Sequence, residues 1–134
     1  MTRNRVWAVV AGVVLALTAV VVGLALVGDE PYSEVATAEV VREQLAAGAT
    51  VIDVRTPEEY DAGHVVDAVN ADLEGNAFDG VVADLPRDAA YVVYCASGRR
   101  AAVAVERMLV EGFTDVVNGG GLEDMEAVGA PTTE

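Results

Sequence analysis

The fold is decided by the stretch Tyr91-Val-Val-Tyr-Cys-Ala-Ser-Gly-Arg-Arg100, in which an apolar run meets a glycine and two arginines. Its first half has the β-branched and aromatic residues of a buried strand, and a helical pattern follows from Arg99. Cys95 therefore lies where a strand turns tightly into a helix. Backbone N–H groups and the positive end of the helix dipole at such a junction favour the thiolate, the reactive form of cysteine. The junction predicts a cysteine-based enzyme.

Strand and helix signals alternate on both sides of this junction. Thr37 and Thr56 suit helix N-caps, and Pro57 suits the first position of a helix. The three glycines at 119–121 predict a turn. Strands are predicted at 51–54, 68–70, 90–94 and 115–117, and helices at 37–48, 57–62, 76–85, 99–109 and 122–128.

This alternation predicts an α/β fold with a mostly parallel central sheet. The predicted strands are apolar throughout, as expected when helices cover both faces of the sheet. In sheets of this kind ligands bind beyond the carboxyl ends of the strands, which is where Cys95 is expected to lie.

The N-terminal segment has the pattern of a membrane anchor. Arg3 and Arg5 precede an uncharged run at 6–27, which as a helix would be about 33 Å long, enough to cross a hydrocarbon core of about 30 Å. We expect an uncleaved signal anchor at 1–28, a short tether at 29–32 and one domain at 33–134. Because positive charge stays on the cytoplasmic side, the domain should lie outside the cytoplasm. The alternative is cleavage of the segment and secretion.

The soluble part of the chain is strongly acidic. Six arginines against 22 acidic residues leave a formal charge of −16 after residue 28, and there is no lysine. Such a charge argues against nucleic acid or an anionic membrane surface as a partner. With one cysteine and one histidine in the whole chain, neither an internal disulfide nor a metal cluster is expected.

Four stretches, in order, resemble the single-domain rhodaneses, a sulfurtransferase family. They are Val51-Ile-Asp-Val-Arg-Thr-Pro-Glu-Glu-Tyr60, Gly63-His64 with Ala68-Val-Asn70, Val92-Val-Tyr-Cys-Ala-Ser-Gly-Arg-Arg100, and Gly112-Phe113 with Gly120-Gly121. Each is weak alone, but their order and spacing together are specific, and they span about 33–131. The resemblance implies a three-layer rhodanese-like domain.

It also implies a reaction, with Cys95 as the nucleophile. Cys95 would take the outer sulfur of a donor such as thiosulfate as a persulfide and pass it to cyanide or a thiol, with no metal or organic cofactor. The backbone of Ala96, Ser97 and Gly98 would form an anion nest around the sulfur, and Arg99 and Arg100 would offer charge to the donor.

Three further residues of the family pattern are expected to be structural. Asp53 and Arg55 flank the end of a strand and should pair with each other or with Glu58 or Glu59. His64 could be imagined as a general base, but its place in the Gly-His pair favours a structural role. A thiolate already held by its loop needs no base.

Two other functions compete with sulfur transfer. One is a rhodanese-like module that binds or senses oxidants through Cys95 without turnover. The other is a cysteine phosphatase or arsenate reductase. Related phosphatases place five residues between the cysteine and an essential arginine, whereas Arg100 comes one residue early here, so the shorter loop suits a sulfur atom better.

The chain departs from the family pattern at several positions. Val66 and Asp67 replace a proline-glycine pair, Asn118 replaces a leucine, and Met125 replaces a tryptophan. Glu59 stands where members that favour thiosulfate can carry a basic residue, so it disfavours an anionic donor. These differences leave the physiological donor open.

Overall fold

The computed structural model describes residues 33–134. The predicted anchor at 1–28 and tether at 29–32 lie outside the described residues. Within 33–134, no helix has both the length and the apolar character needed to cross a membrane.

The described chain alternates strands and helices along its whole length. The strands are β1 (Thr50–Asp53), β2 (Val69–Asn70), β3 (Ala90–Cys95) and β4 (Asp115–Gly121). The helices are α1 (Ala38–Ala46), α2 (Pro57–Asp61), α3 (Ala77–Ala83), α4 (Arg99–Val110) and α5 (Leu122–Ala127). The predicted elements are therefore all present, most with ends within one or two residues of the expected ones.

The four strands form one sheet in the order β2-β1-β3-β4, and every neighbouring pair is parallel. The prediction of an α/β fold with a parallel sheet is confirmed. Because all four strands point the same way, their carboxyl ends meet at one edge, and Cys95 is the last residue of the interior strand β3.

Alternate residues of the strands bury into two hydrophobic clusters on opposite faces of the sheet. On one face Ile52 and Val93 pack with Phe78 of α3 and Met108 of α4. On the other, strand residues pack with α1 and α5 through a set that includes Val41, Val51, Val92, Tyr94 and Met125. The sheet is thus the middle of three layers, and Cys95 belongs to the α3–α4 side.

Local side chains account for where two of the helices begin. Thr37 Oγ1 accepts from the backbone N–H of Val40 at the start of α1. At α2, Thr56 and Glu59 form a reciprocal capping box behind Pro57. The caps expected at these threonines are therefore present.

The turn predicted from the glycines at 119–121 is wrong. β4 continues through these residues, and Gly121 pairs with Cys95 across a register shift between Val93 and Cys95. Glycine is needed here for close approach: a Cβ on Gly119 would lie 2.8 Å from Met125 Sδ, and one on Gly121 would overlap the carbonyl oxygen of Ala96. The strand passes directly beneath the segment that follows Cys95.

Candidate active site

Cys95 to Arg100, which we call the Cys95 loop, joins the end of β3 to the start of α4. Gly98 is the N-cap of α4 and has a φ of 87°, a left-handed conformation that glycine adopts without strain. Its carbonyl accepts the first helical hydrogen bond, from Ala102 N–H at 3.0 Å. The sequence signal of a strand, a glycine turn and a helix thus gives the expected local structure.

The sulfur of Cys95 lies at the base of this loop. The residue is only 1% exposed, and its Sγ accepts a hydrogen bond from Gly98 N–H at 3.0 Å. Ala96 and Ser97 are exposed above it. The amides of Arg99 and Arg100 begin α4, so they have no carbonyl partner inside the helix. The loop therefore offers a sulfur atom backbone donors at the positive end of a helix dipole.

The two arginines of the loop have different surroundings. Arg100 forms a two-armed ion pair with Glu59, with both N–O distances 2.8 Å, and its Nη1 also lies 3.3 Å from Glu74 Oε2. Arg99 is exposed, and none of the ion pairs found within residues 33–134 includes it. Arg99 is the cation that the loop leaves open to solvent.

Glu59 connects Arg100 to helix α2. Its Oε2 also accepts from Thr56 N–H at 3.0 Å, so one carboxylate completes the cap of α2 and holds the loop arginine. The hydrogen bonds from Arg100 lower the pKa of Glu59 from its ordinary value of 4.5 to about 2. In return, the Glu59 carboxylate raises the pKa of Arg100, which stays protonated.

Asp53 and Arg55 pair with each other, the first of the pairings expected from sequence. Arg55 Nη2 lies 2.6 Å from Asp53 Oδ2 and donates to the Gly63 carbonyl at 2.7 Å. Tyr94, next to Cys95, donates its hydroxyl to Asp53 Oδ2 at 2.5 Å and accepts from Val65 N–H at 3.0 Å. Burial, together with the Asp53 carboxylate, raises the pKa of Tyr94. This buried network braces β1 against β3.

His64 makes its contacts away from the Cys95 loop. Its ring stacks on Tyr60 at 3.6 Å between centroids, and Nδ1 lies 2.8 Å from the Tyr60 carbonyl oxygen. Thr133 bonds to its backbone N–H and carbonyl. These contacts connect His64 to α2 and to Thr133, and they are of the kind expected for the structural role predicted from its sequence position.

Asn118 and Glu74 contact the loop but were not expected among its residues. Asn118 is 2% exposed and donates its side-chain N–H to the Gly98 carbonyl at 3.0 Å. The sequence marked this position only as a departure from the family pattern. An asparagine inside an apolar strand was the available signal, because such a residue is buried only when it is hydrogen-bonded.

Comparison with known proteins agrees with this architecture. The sequence model of the Rhodanese-like domain family matches residues 37–127. Thiosulfate sulfurtransferase PspE of Escherichia coli is 37% identical over 75 residues, which are 55% of this chain and 71% of that protein. Thiosulfate sulfurtransferase GlpE of Pseudomonas syringae is 32% identical over 85 residues, 62% of this chain and 76% of that protein.

Solved structures show the same likeness. A rhodanese from E. coli, solved with anions, matches with a TM-score of 0.54 at 34% identity over 65% of this chain and 99% of its own. The Rhodanese-like domain of the Alr3790 protein from Anabaena matches with a TM-score of 0.62 at 29% identity, over 74% of this chain and 77% of its own. With a parallel sheet, a cysteine at the end of its interior strand and a family match over most of its length, this chain belongs to the rhodanese-like domain family.

Proposed function

We propose that this protein is a sulfurtransferase that carries sulfane sulfur on Cys95. One observation carries the proposal: the Cys95 sulfur lies at the base of a loop whose Gly98 N–H points to it at 3.0 Å, at the start of helix α4. Backbone donors fixed in this way stabilise a thiolate and then a persulfide with no reorganisation during the reaction.

The reaction has two displacement steps. The Cys95 thiolate attacks the outer sulfur of a donor such as thiosulfate, a new S–S bond forms, and sulfite leaves with the electron pair of the broken bond. Cyanide or a thiolate then attacks the outer sulfur of the persulfide and leaves as thiocyanate or a new persulfide. The second step returns Cys95 as the thiolate, so the cycle needs no oxidant, metal or organic cofactor.

The two arginines of the Cys95 loop have different proposed roles. Arg100 donates two short hydrogen bonds to the Glu59 carboxylate, so its role is to stabilise the conformation of the loop. The exposed Arg99 is the residue that meets an anionic donor, with the exposed residues Ala96 and Ser97 beside it. An arginine engaged in this way is poorly placed to clamp a phosphoryl group, which supports sulfur transfer over a phosphatase reaction.

The relatives named thiosulfate sulfurtransferases support thiosulfate as the donor to test first. The carboxylates of Glu59 and Glu74 beside Arg100, with the acidic charge of the domain, predict a weaker hold on a dianionic donor such as thiosulfate than on a sulfane donor of lower negative charge.

The test is thiocyanate formation from thiosulfate and cyanide by the purified domain. We expect turnover in the wild type and none above background in Cys95→Ser, with the two proteins equally folded by circular dichroism. A second series replaces thiosulfate with glutathione persulfide. Turnover that persists in Cys95→Ser would contradict the mechanism. A folded, reduced wild type inactive with both donors would favour the binding or redox-sensing alternative.

We also propose that the domain is attached to a membrane through residues 6–27 and works outside the cytoplasm. The support is in the sequence: an uncharged run long enough to span a bilayer follows Arg3 and Arg5 and precedes Asp29 and Glu30. The donor and acceptor would then be small sulfur compounds of an extracytoplasmic compartment, and secretion after cleavage is the alternative.

A further inference from the structure

We propose that Asn118 is a positioning residue for the Cys95 loop, because it fixes the glycine whose N–H donates to the Cys95 sulfur. The inference deepens the proposed function, since it assigns a residue to the sulfur-carrying loop. The first measurement that tests it, amide hydrogen exchange at Gly98, does not depend on sulfur transfer.

The Asn118 side chain makes three hydrogen bonds, and all three are to backbone groups. Its two N–H groups donate to the carbonyls of Ser33 and Gly98, both at 3.0 Å. Its Oδ1 accepts from Gly120 N–H at 2.9 Å. With both of its N–H groups donating and its oxygen accepting, the buried amide is held in one orientation, because any rotation would leave a polar group unpaired.

Gly98 connects Asn118 to the Cys95 sulfur, because it forms a hydrogen bond with each of them. Its carbonyl accepts from both Asn118 Nδ2 and Ala102 N–H, and its own N–H donates to Cys95 Sγ. Carbonyl and N–H belong to one residue, which has two soft dihedrals. Because those two dihedrals separate the two groups, the fixed carbonyl restricts the direction of the N–H together with the close packing around Gly98, which leaves little room for either dihedral to change.

The space around Gly98 leaves little freedom for another arrangement. A Cβ at this position would lie 2.9 Å from Val35 Cγ2 and 3.2 Å from Gly120 Cα. Val35 is itself bridged to Asn118, and Ala36 N–H donates to the Asn118 carbonyl at 2.8 Å. Asn118, which is buried, thus contacts three segments of the domain: residues 33–36, β4 and the Cys95 loop.

A role limited to stability would make a different prediction. If Asn118 only stabilised the fold, its replacement would reduce the protection of amides from hydrogen exchange by a similar factor throughout the sheet and the Cys95 loop. If it positions Gly98, the Gly98 amide should lose protection beyond the loss at its neighbours in β3.

The experiment compares amide hydrogen exchange at Gly98 and at Val93 in three variants. Asn118→Asp keeps an acceptor for Gly120 but turns a carboxylate toward the Ser33 and Gly98 carbonyls. Asn118→Ser is smaller and uncharged, and it decides the question if the aspartate variant does not fold. Gln44→Glu is the matched control, because it turns an amide that donates to Asp115 Oδ1 at 2.7 Å into a carboxylate.

We expect the ratio of Gly98 to Val93 protection to fall about tenfold in Asn118→Asp, less in Asn118→Ser, and not in Gln44→Glu. In the thiosulfate–cyanide assay, kcat should fall by a similar factor while KM stays within about twofold. A folded Asn118 variant with the wild-type protection ratio, or an equal loss at Gly98 and Val93, would overturn the inference. If the wild type transfers no sulfur but the ratio still falls, the proposed function fails and the positioning role stands.

Discussion

At the scale of single residues, Glu59 is the residue whose role differs most from its sequence interpretation. Its position suggested a pairing with Arg55 or a deterrent to anionic donors. In the structure its carboxylate completes the α2 cap and holds Arg100, the arginine of the Cys95 loop. One acidic side chain therefore links a helix start to the loop, through partners 41 residues apart in sequence.

This linkage predicts a pH dependence of stability. Arg100 lowers the pKa of Glu59 from 4.5 to about 2, so the stabilisation is complete above pH 4.5 and is lost as the pH falls toward 2. Because both side chains are partly exposed, solvent screening limits the effect to about 0.5–1 kcal/mol. Glu59→Gln should lower the free energy of unfolding by this amount at neutral pH and by much less near pH 2.

Urea unfolding at a series of pH values measures the effect. Glu58→Gln is the control, because Glu58 lies in the same helical turn and takes part in none of the ion pairs found in residues 33–134. Equal pH profiles for Glu59→Gln and Glu58→Gln would show that the Arg100 pair contributes nothing to stability.

At the scale of elements, β4 is the feature that places the Cys95 loop. Its last residues are glycines that lie against the loop backbone, and Gly121 lies too close to the Ala96 carbonyl to carry a side chain. We therefore expect Gly121→Ala to reduce the free energy of unfolding by about 1–3 kcal/mol, the usual cost of overpacking. It should also slow sulfur loading, since Ala96 must move.

A glycine in a helix supplies the comparison for this prediction. Gly80 is an exposed residue of α3 with open space where a Cβ would stand. Gly80→Ala should raise the free energy of unfolding by about 0.4–1 kcal/mol without a change in turnover. Thermal or urea unfolding of both variants measures the pair, and a Gly121→Ala variant as stable as the wild type would refute the close-contact argument.

Elements were predictable wherever their signals were local. The starts at Thr37 and Thr56 follow from a capping side chain a few residues from its partner, and the strand-glycine-helix junction at Gly98 follows from the same kind of signal. The turn predicted at the glycine run of β4 was wrong, because these glycines are needed where the strand lies against the Cys95 loop, some 25 residues earlier in sequence. The Asn118 contacts lie beyond a single sequence for the same reason: their partners are distant in the chain.

At the scale of the whole molecule, the order of strands explains why the site is where it is. The parallel sheet gathers four strand ends at one edge, and β3, an interior strand, delivers Cys95 there between β1 and β4. The buried Asp53–Arg55–Tyr94 network closes the same edge on the β1 side. The Cys95 loop thus has β4 packed against it on one side and the Asp53–Arg55–Tyr94 network on the other.

The N-terminal sequence, with two arginines before a long uncharged run, predicts where the protein is located in the cell. A fusion of alkaline phosphatase to Glu134, expressed in E. coli, should be active and should remain in the membrane fraction after carbonate washing. Replacing Val13 and Leu15 by arginine should return the fusion to the soluble cytoplasmic fraction and inactivate it. An active fusion released as a shorter, soluble protein would show cleavage instead, and an inactive wild-type fusion would contradict the proposed placement.

The persulfide on Cys95 is the central claim, and intact mass spectrometry tests it most directly. The reduced domain is incubated with thiosulfate, weighed, treated with cyanide and weighed again, beside Cys95→Ser treated in the same way. We predict that the wild type gains the mass of one sulfur atom, that cyanide removes it, and that Cys95→Ser gains nothing. A folded wild type that gains no sulfur from thiosulfate or from glutathione persulfide, or a Cys95→Ser protein that gains it, would contradict the account.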